Sequence, residues 1–412
     1  MKRLLPLVLL AACGDTTTDI PEVRSNLARN TEPDVSPSDM AALVAGNTAF
    51  ATDLYKQVHD QPGNLFMSPH SISTALAMTW AGAATTTADQ MATTLHFTLP
   101  PAQQHAAFDQ LDLDLASRAT KATSDTIPFR LTTANAMFGQ DGMTFMAPFL
   151  DTLAVNYDAG MRVLDFAKDP EGSRVTINQW VEDKTNDRIK DLLPEGSVDG
   201  AALVLTNAIY FSGAWETPFD ASNTADRTFL AGGTTQVSVP FLHGTHENGY
   251  AAGDGWRAAE LAYDGDDLAM DLIVPDDLAS FEASLSPQIL GGIVDAMSVH
   301  ELDLSLPKFK FDAPLPLKHV LVALGMTDAF DSKADFSGID GGHDLMILDV
   351  LHKGFVSVDE KGTEAAAATA VILGDSAAPE AATLVVDRPF LFLIRDKPTG
   401  AILFVGRVVD PR

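Results

Sequence analysis

The sequence predicts a mixed α+β fold in one large domain, and three observations lead there. From Ser38 to the C-terminus, helical and strand patterns alternate with no second linker and no internal repeat. Some segments space their apolar residues as a helix does, whereas others are near-continuous apolar runs closed off by glycine or serine. The chain has 412 residues, 46% of them hydrophobic, which suits one large domain or two ordinary ones. Without a second linker, one is favoured.

The elements follow in order. Lys2 and Arg3 precede a short apolar run, Leu4 to Ala12, too brief to span a bilayer but suited to a secretory signal. Leu10-Ala-Ala-Cys13 resembles the lipobox of bacterial lipoproteins, which implies that residues 1–12 are removed and that Cys13 is lipidated as the new N-terminus. The alternative is a small-residue cleavage site that happens to adjoin a cysteine. Cys13 is the sole cysteine, so no disulfide can stabilise the fold. Residues 14–38 read as a flexible tether, with Thr16-Thr-Thr18, Pro21, Pro33, Pro37 and no sustained periodicity. Fully extended, a tether of that length reaches at most roughly 85 Å. Aspartate after a lipobox cysteine is associated with inner-membrane retention in some bacteria; Gly14 stands there, which favours the outer membrane or cell surface.

The domain itself is expected over residues 39–412. Helical spacing runs through Met40 to Val58, and again through Ile72 to Ala83, where Ser68 caps and Pro69 takes the first helical position. Ala201 to Phe211 is bounded by Gly200 and by Ser212-Gly213, as a strand buried on both faces should be. Leu345 to Val358 predicts another strand, and Phe390 to Arg395 and Ala401 to Val409 predict two more around the turn Asp396-Lys-Pro-Thr-Gly400.

Between these last strands lies a segment of unusual composition, Gly362-Thr-Glu-Ala-Ala-Ala-Ala-Thr369. At period two it puts Thr363, Ala365, Ala367, Thr369, Val371 and Leu373 on one face, all small or apolar, with Glu364 on the other. No proline occurs from Gly362 to Ala378, so every residue there has a ladder donor. Yet Gly374-Asp-Ser-Ala-Ala-Pro379 is loop chemistry. A segment equipped both as loop and as interior strand suggests a switch; a short alanine-rich helix or a linker is the plainer alternative.

Several motifs, in order, carry a resemblance. Asn64-Leu-Phe-Met-Ser-Pro-His-Ser-Ile-Ser-Thr-Ala-Leu-Ala-Met78, Ala81-Gly-Ala83, Gln90-Met91, Leu205-Thr-Asn-Ala-Ile-Tyr-Phe-Ser-Gly-Ala-Trp215, Leu306-Pro-Lys-Phe-Lys310, Leu324-Gly-Met-Thr-Asp-Ala-Phe330 and Arg388-Pro-Phe-Leu-Phe392 resemble the signatures of the serpin family. The resemblance spans residues 39–412. It implies about nine helices around three β-sheets, with an exposed reactive-centre loop at about 360–388 above a five-stranded central sheet. It also implies suicide-substrate inhibition of serine, or in some cases cysteine, endopeptidases: the protease attacks the loop, forms an acyl-enzyme, and is carried away as the cleaved loop inserts into the sheet.

The resemblance assigns residues too. Glu360, Lys361, Gly362, Thr363, Glu364, Ala365, Ala366, Ala367, Ala368 and Thr369 correspond to the hinge, whose small side chains enter a sheet without overpacking it. Ser68, Ser71, Asn207 and His352 correspond to a polar cluster beneath the sheet, where strands must part. Trp215 and Lys308, with Glu360 as the expected ion partner of Lys308, match the region where insertion begins. Counting along the hinge puts the scissile bond between Ser376 and Ala377, while counting back from Pro389 puts it one or two residues later. A small residue before the bond suits elastase-like or subtilisin-like targets; cleavage after Asp375 or Leu373 would select other enzymes.

Other function classes fit less well. A net charge of −29 opposes a nucleic-acid partner, and the helix around Gln103 to Lys121 offers a polyanion only Arg118 and Lys121. Gly374-Asp-Ser376 matches the nucleophile tripeptide of trypsin-like proteases, but Ala377-Ala378 replaces the glycines that should follow, so no catalysis is expected. His243-Gly-Thr-His246 lacks an evident third ligand, so neither metal nor other cofactor is expected. The main alternative is a serpin fold that binds or chaperones without inhibiting. Hinges of that kind carry bulky, charged or proline residues, and a monomeric inhibitor is favoured here.

Overall fold

The computed structural model of the chain describes residues 20–123, 129–363 and 379–412. Helix α1 (Pro37–Val58) begins where the Ser36 side chain accepts from the Asp39 N–H with proline in the first turn. Helix α2 (Pro69–Trp80) begins the same way, Ser68 accepting from the Ser71 N–H, and nearly all of it is buried. A helix apolar around most of its circumference belongs inside a large core. Then come α3 (Thr85–Thr94), α4 (Pro101–Arg118), α5 (Ala147–Tyr157) and α6 (Pro170–Lys184), with four further α-helical segments of ten residues or fewer beyond them among the described residues.

The strands are β1 (Glu22–Val23), β2 (Leu65–Met67), β3 (Arg130–Thr133), β4 (Ala136–Gln140), β5 (Met161–Leu164), β6 (Leu203–Ala214), β7 (Ala225–Ala231), β8 (Thr235–Gly253), β9 (Trp256–Ala262), β10 (Leu268–Pro275), β11 (Ser298–Pro307), β12 (Phe309–Pro316), β13 (Val350–Asp359), β14 (Gly362–Thr363), β15 (Ala381–Val385), β16 (Phe390–Asp396) and β17 (Ile402–Val408). One sheet runs β1-β5-β4-β6-β14-β13-β12, with β3 also on β6. The other runs β15-β11-β8-β9-β10-β16-β17-β2, with β7 on β8. Among the described residues two of the three expected sheets are joined through hydrogen bonds into one continuous sheet. The cause is β8, whose 19 residues pair with β7 over Thr235–Phe241, with β11 over Phe241–Tyr250 and with β9 over Gly249–Gly253, fusing two sheets along one strand.

Strand β6 explains its own composition. Leu203, Leu205, Ile209 and Phe211 join the main core, while Ala208 and Tyr210 join a second cluster that includes Ile177, Trp180 and Val181 of α6. Both faces are covered, so both are apolar. Strand β13 starts at Val350 rather than at the predicted Leu345. Leu345 and Ile347 are buried, but the Ile347 N–H is taken by the Ala329 carbonyl, away from any sheet ladder. At the centre of the first sheet β6 and β13 are parallel, Leu205–Tyr210 against Val350–Phe355.

The free tether expected over residues 13–38 does not hold from Ile20 onward. Ile20 is buried in the second cluster, and β1 extends the first sheet by pairing with β5, Glu22 opposite Arg162 and Val23 opposite Met161. Ion pairs then fasten the strand's continuation: Arg24 to Asp158, and Arg29 to both Asp109 and Asp112 at 2.7 and 2.6 Å. Asp109 is fully buried, so Arg29 is its required partner. Cys13 lies outside the described residues.

Candidate functional site

Two polar constellations flank the β6–β13 seam, one at its end and one beneath it. At the end, the first hinge residues already sit in the sheet. Gly362 and Thr363 pair antiparallel with Ala214 and Gly213 of β6 and with Asp359 and Val358 of β13. Glycine at 362 is a steric requirement: a Cβ there would lie 2.1 Å from the Gly213 carbonyl oxygen and 2.8 Å from the Ala214 Cα, both backbone atoms. Thr363 is buried, its hydroxyl hydrogen-bonded to the Tyr263 hydroxyl at 2.7 Å. Burial pushes the Tyr263 phenol far above its ordinary range, so it stays protonated and can donate.

Trp215 braces this end. Its indole N–H donates to the Asp359 carbonyl at 3.0 Å, its backbone N–H to the Lys361 carbonyl at 2.8 Å, and its ring stacks on Tyr263 at 4.7 Å between centroids. Glu360 accepts from the Lys308 ammonium at 2.7 and 2.9 Å and from the Thr224 hydroxyl at 2.8 Å. Burial alone would raise this carboxyl, but the hydrogen bonds from Lys308 and Thr224 outweigh it and hold Glu360 below the usual range. Lys308 is one-third exposed, so the pair orients the turn more than it stabilises it.

Beneath the seam, Ser68, Ser71, Asn207 and His352 lie together in the interior. His352 and Asn207 are direct partners in the parallel β6–β13 register, and their side chains are hydrogen-bonded to each other. The Ser68 N–H donates to His352 Nε2 at 3.1 Å, which leaves the imidazole proton on Nδ1 to donate to the Asn207 amide oxygen. Ser68 Oγ donates to the Leu403 carbonyl at 2.7 Å, and Asn207 Nδ2 donates to Ser71 Oγ at 2.9 Å. Burial lowers His352 to about 3, so the ring is neutral at any ordinary pH. The cluster is charge-free and internally satisfied, and it spans the two strands that an inserting strand must separate.

Sequence reasoning missed three participants. Asn135 accepts from Ser71 Oγ at 3.0 Å and from Asn207 Nδ2 at 2.8 Å, and donates to the Ser71 carbonyl at 3.2 Å. Its signal was a lone amide between Ala134 and Ala136 beside an apolar strand. Tyr263 and Thr224 had no local signal. Hinge residues Glu364, Ala365, Ala366, Ala367, Ala368 and Thr369, and the bond residues Ser376 and Ala377, lie outside the described residues. His243 sits 3.4 Å from Asp303, whereas His246 packs edge-on against Phe219. Arg118 and Lys121 are engaged by Asp396 at 2.8 Å and Asp267 at 2.9 Å.

A family model described as Serpin (serine protease inhibitor) matches residues 45–411. The chain is 38% identical over 386 residues to the leukocyte elastase inhibitor of Bos taurus, covering 90% of this chain and all of that protein. Among solved structures it resembles tengpin, a thermophilic serpin in the native state, with a TM-score of 0.82, 27% identity and coverage of 95% and 99% of the two chains. It also resembles human thyroxine-binding globulin complexed with thyroine, with a TM-score of 0.80, 29% identity and coverage of 90% and 99%. With the signature motifs, the fold and the paired constellations at the β6–β13 seam all in place, this chain belongs to the serpin family.

Proposed function

We propose that the protein is a suicide-substrate inhibitor of serine endopeptidases with elastase-like or subtilisin-like pockets. The observation that carries the reading is the seating of Gly362 and Thr363 between the ends of β6 and β13, directly above a parallel seam that a further strand can enter. In the first step the protease serine Oγ attacks the Ser376 carbonyl carbon. The bond to the Ala377 nitrogen breaks, that nitrogen leaves as an amine after taking the serine's proton, and Ser376 remains as an ester on the enzyme. The freed hinge then continues downward from Thr363, and the seam of six register pairs is replaced by two ladders. A net gain of roughly ten hydrogen bonds at about 1 kcal/mol each is comparable to the stability of a whole domain.

A relative named for elastase inhibition supports the target class. A carrier without inhibitory action has the named ligand of thyroxine-binding globulin on its side. The small hinge residues favour inhibition. The localisation proposed is the bacterial envelope, with lipid on Cys13 as the only membrane attachment and the domain monomeric.

The test is to mix the purified domain with a subtilisin-like or elastase-like protease and look for a covalent complex that survives boiling in detergent. Ala367→Pro, which removes a ladder donor, is expected to convert complex into cleaved product. Cleavage without complex across a panel of such enzymes rejects inhibition and favours the carrier.

A further inference from the structure

The direction of β1 fixes where an N-terminal anchor can attach. Strand β5 runs parallel to β4, and β4 runs antiparallel to β6, so rising numbers in β5 lead away from the hinge. Strand β1 is antiparallel to β5, so the chain before it emerges at the end remote from Gly362. The Val163 N–H donates to the Pro21 carbonyl and the Gln140 N–H to the Ala202 carbonyl, which puts Ile20 level with the start of β6. The hinge residue Thr363 lies opposite Gly213 near the other end of that strand. From Ala202 to Gly213 is about 36 Å at roughly 3.3 Å per residue.

The leash is also short. Because Ile20 is buried and β1 is paired, only the seven-residue span from Cys13 to Ile20 separates an anchor at Cys13 from the folded domain. That stretch reaches at most about 25 Å, against the roughly 85 Å of a tether free to residue 38.

We propose that the anchored protein stands on the pole remote from its hinge, displays the reactive loop away from the lipid, and traps proteases with a yield set by leash length. The orientation rests on the lipid anchor at Cys13 proposed above, and the trapping half rests on the inhibitor reading as well. An inserting strand descends between β6 and β13 to the same pole where β1 emerges, about 19 Å to the side at roughly 4.8 Å per strand. A protease of about 220 residues is about 44 Å across, wider than the gap the leash allows. The domain must tip to let the passenger in, which slows insertion in its race with deacylation.

The experiment exploits Cys13 as the sole cysteine. The chain beginning at Cys13 is coupled through it to maleimide-headgroup lipid in phosphatidylcholine vesicles, and a second version carries a flexible insert of about twelve Gly-Ser residues between Thr18 and Asp19, adding roughly 40 Å of reach. Soluble controls have Cys13 capped. The readout is the ratio of detergent-stable complex to cleaved inhibitor with a subtilisin-like protease. Both soluble forms should match, and the short-leash form on vesicles should fall about threefold or more, with the insert restoring it. Equal ratios for short and long leashes on vesicles overturn the leash effect.

Orientation is read independently of inhibition. Fluorophores are installed by unnatural amino acid at exposed Lys168, just beyond the end of β5, or at exposed Asn223, beside the Thr224 that bonds Glu360. Transfer to acceptor lipids should be strong from position 168 and weak from 223; equal transfer overturns the orientation. Failure of the soluble controls to form complex rejects the inhibitor reading instead, and the transfer measurement still decides how the domain stands.

Discussion

Removing the Asn207 side chain should destabilise the closed sheet more than the strand-inserted one. In Asn207→Ala, His352 Nδ1 loses its acceptor, Ser71 Oγ loses a donor, and Asn135 Oδ1 keeps only the Ser71 hydroxyl. His352 is buried and held neutral, so its orphaned N–H finds neither solvent nor charge. One such group costs about 1–3 kcal/mol, and with the lost contacts the intact form should lose about 2–4 kcal/mol. For the roughly 370 described residues the unfolding entropy is about 0.8 kcal/mol/K, so the midpoint should fall about 2–5 °C. Once a strand has entered between β6 and β13, residues 207 and 352 are no longer neighbours and only the bonds to Ser71 and Asn135 are left to lose, so the loop-cleaved form should lose clearly less than the intact one. Opening breaks the same hydrogen bond, so a barrier lowered by about 2 kcal/mol should make the intact mutant lose trapping capacity roughly thirtyfold faster on incubation. Calorimetry of intact and cleaved forms, with complex formation followed over time, checks both parts. Equal melting losses in the two forms would refute the reasoning.

Gly362→Val should expel the start of the hinge, because its Cβ meets the backbone of Gly213 and Ala214. The ratio of complex to cleaved product should drop well below that of Thr363→Val, which removes only the hydroxyl contact with Tyr263; equal ratios for the two mutants count against the steric argument. Stability should also decline with acid. Burial lowers His352 to about 3 and His105 to about 4, and lowers His70 to about 4 against the opposing pull of Asp112 and Asp396. Unfolded imidazoles titrate near 6.5, so this stability is complete above about pH 6.5 and is lost as pH falls towards 4, by up to about 1.4 kcal/mol per pH unit per histidine. Urea midpoints taken across that window should fall steadily, and a flat profile would contradict the burial of these rings.

What could be read from sequence was what local chemistry dictates. Ser68-Pro69 announces a helix start because a cap and its proline are neighbours, and β6 announces itself because two buried faces leave no polar periodicity. Residues 20–36 misled because their partners are remote: Arg29 meets Asp109 and Asp112, and Arg24 meets Asp158, across 80 or more positions. Proline and scattered charge look the same in a tether and in a strap held by ion pairs. The polar cluster was reached through family resemblance, since nothing in Asn207 or His352 alone distinguishes a seam from a satisfied core pair. Asn135 joins them only through pairing of distant strands.

The parallel joint between β6 and β13 has a meaning of its own. The hinge residues that enter it are antiparallel to both strands, so a continued strand turns one parallel contact into two antiparallel ones. Parallel pairing is slightly weaker per residue, and strand directions around the joint are out of alternation by one. The closed sheet thus carries a parity defect at its centre, and an added strand of the right direction repairs it whatever its side chains. The sheet has a second parallel joint, between β4 and β5, so it is the hinge start already seated between β6 and β13 that selects where the sheet yields, and the small residues of the hinge govern how readily that place is filled.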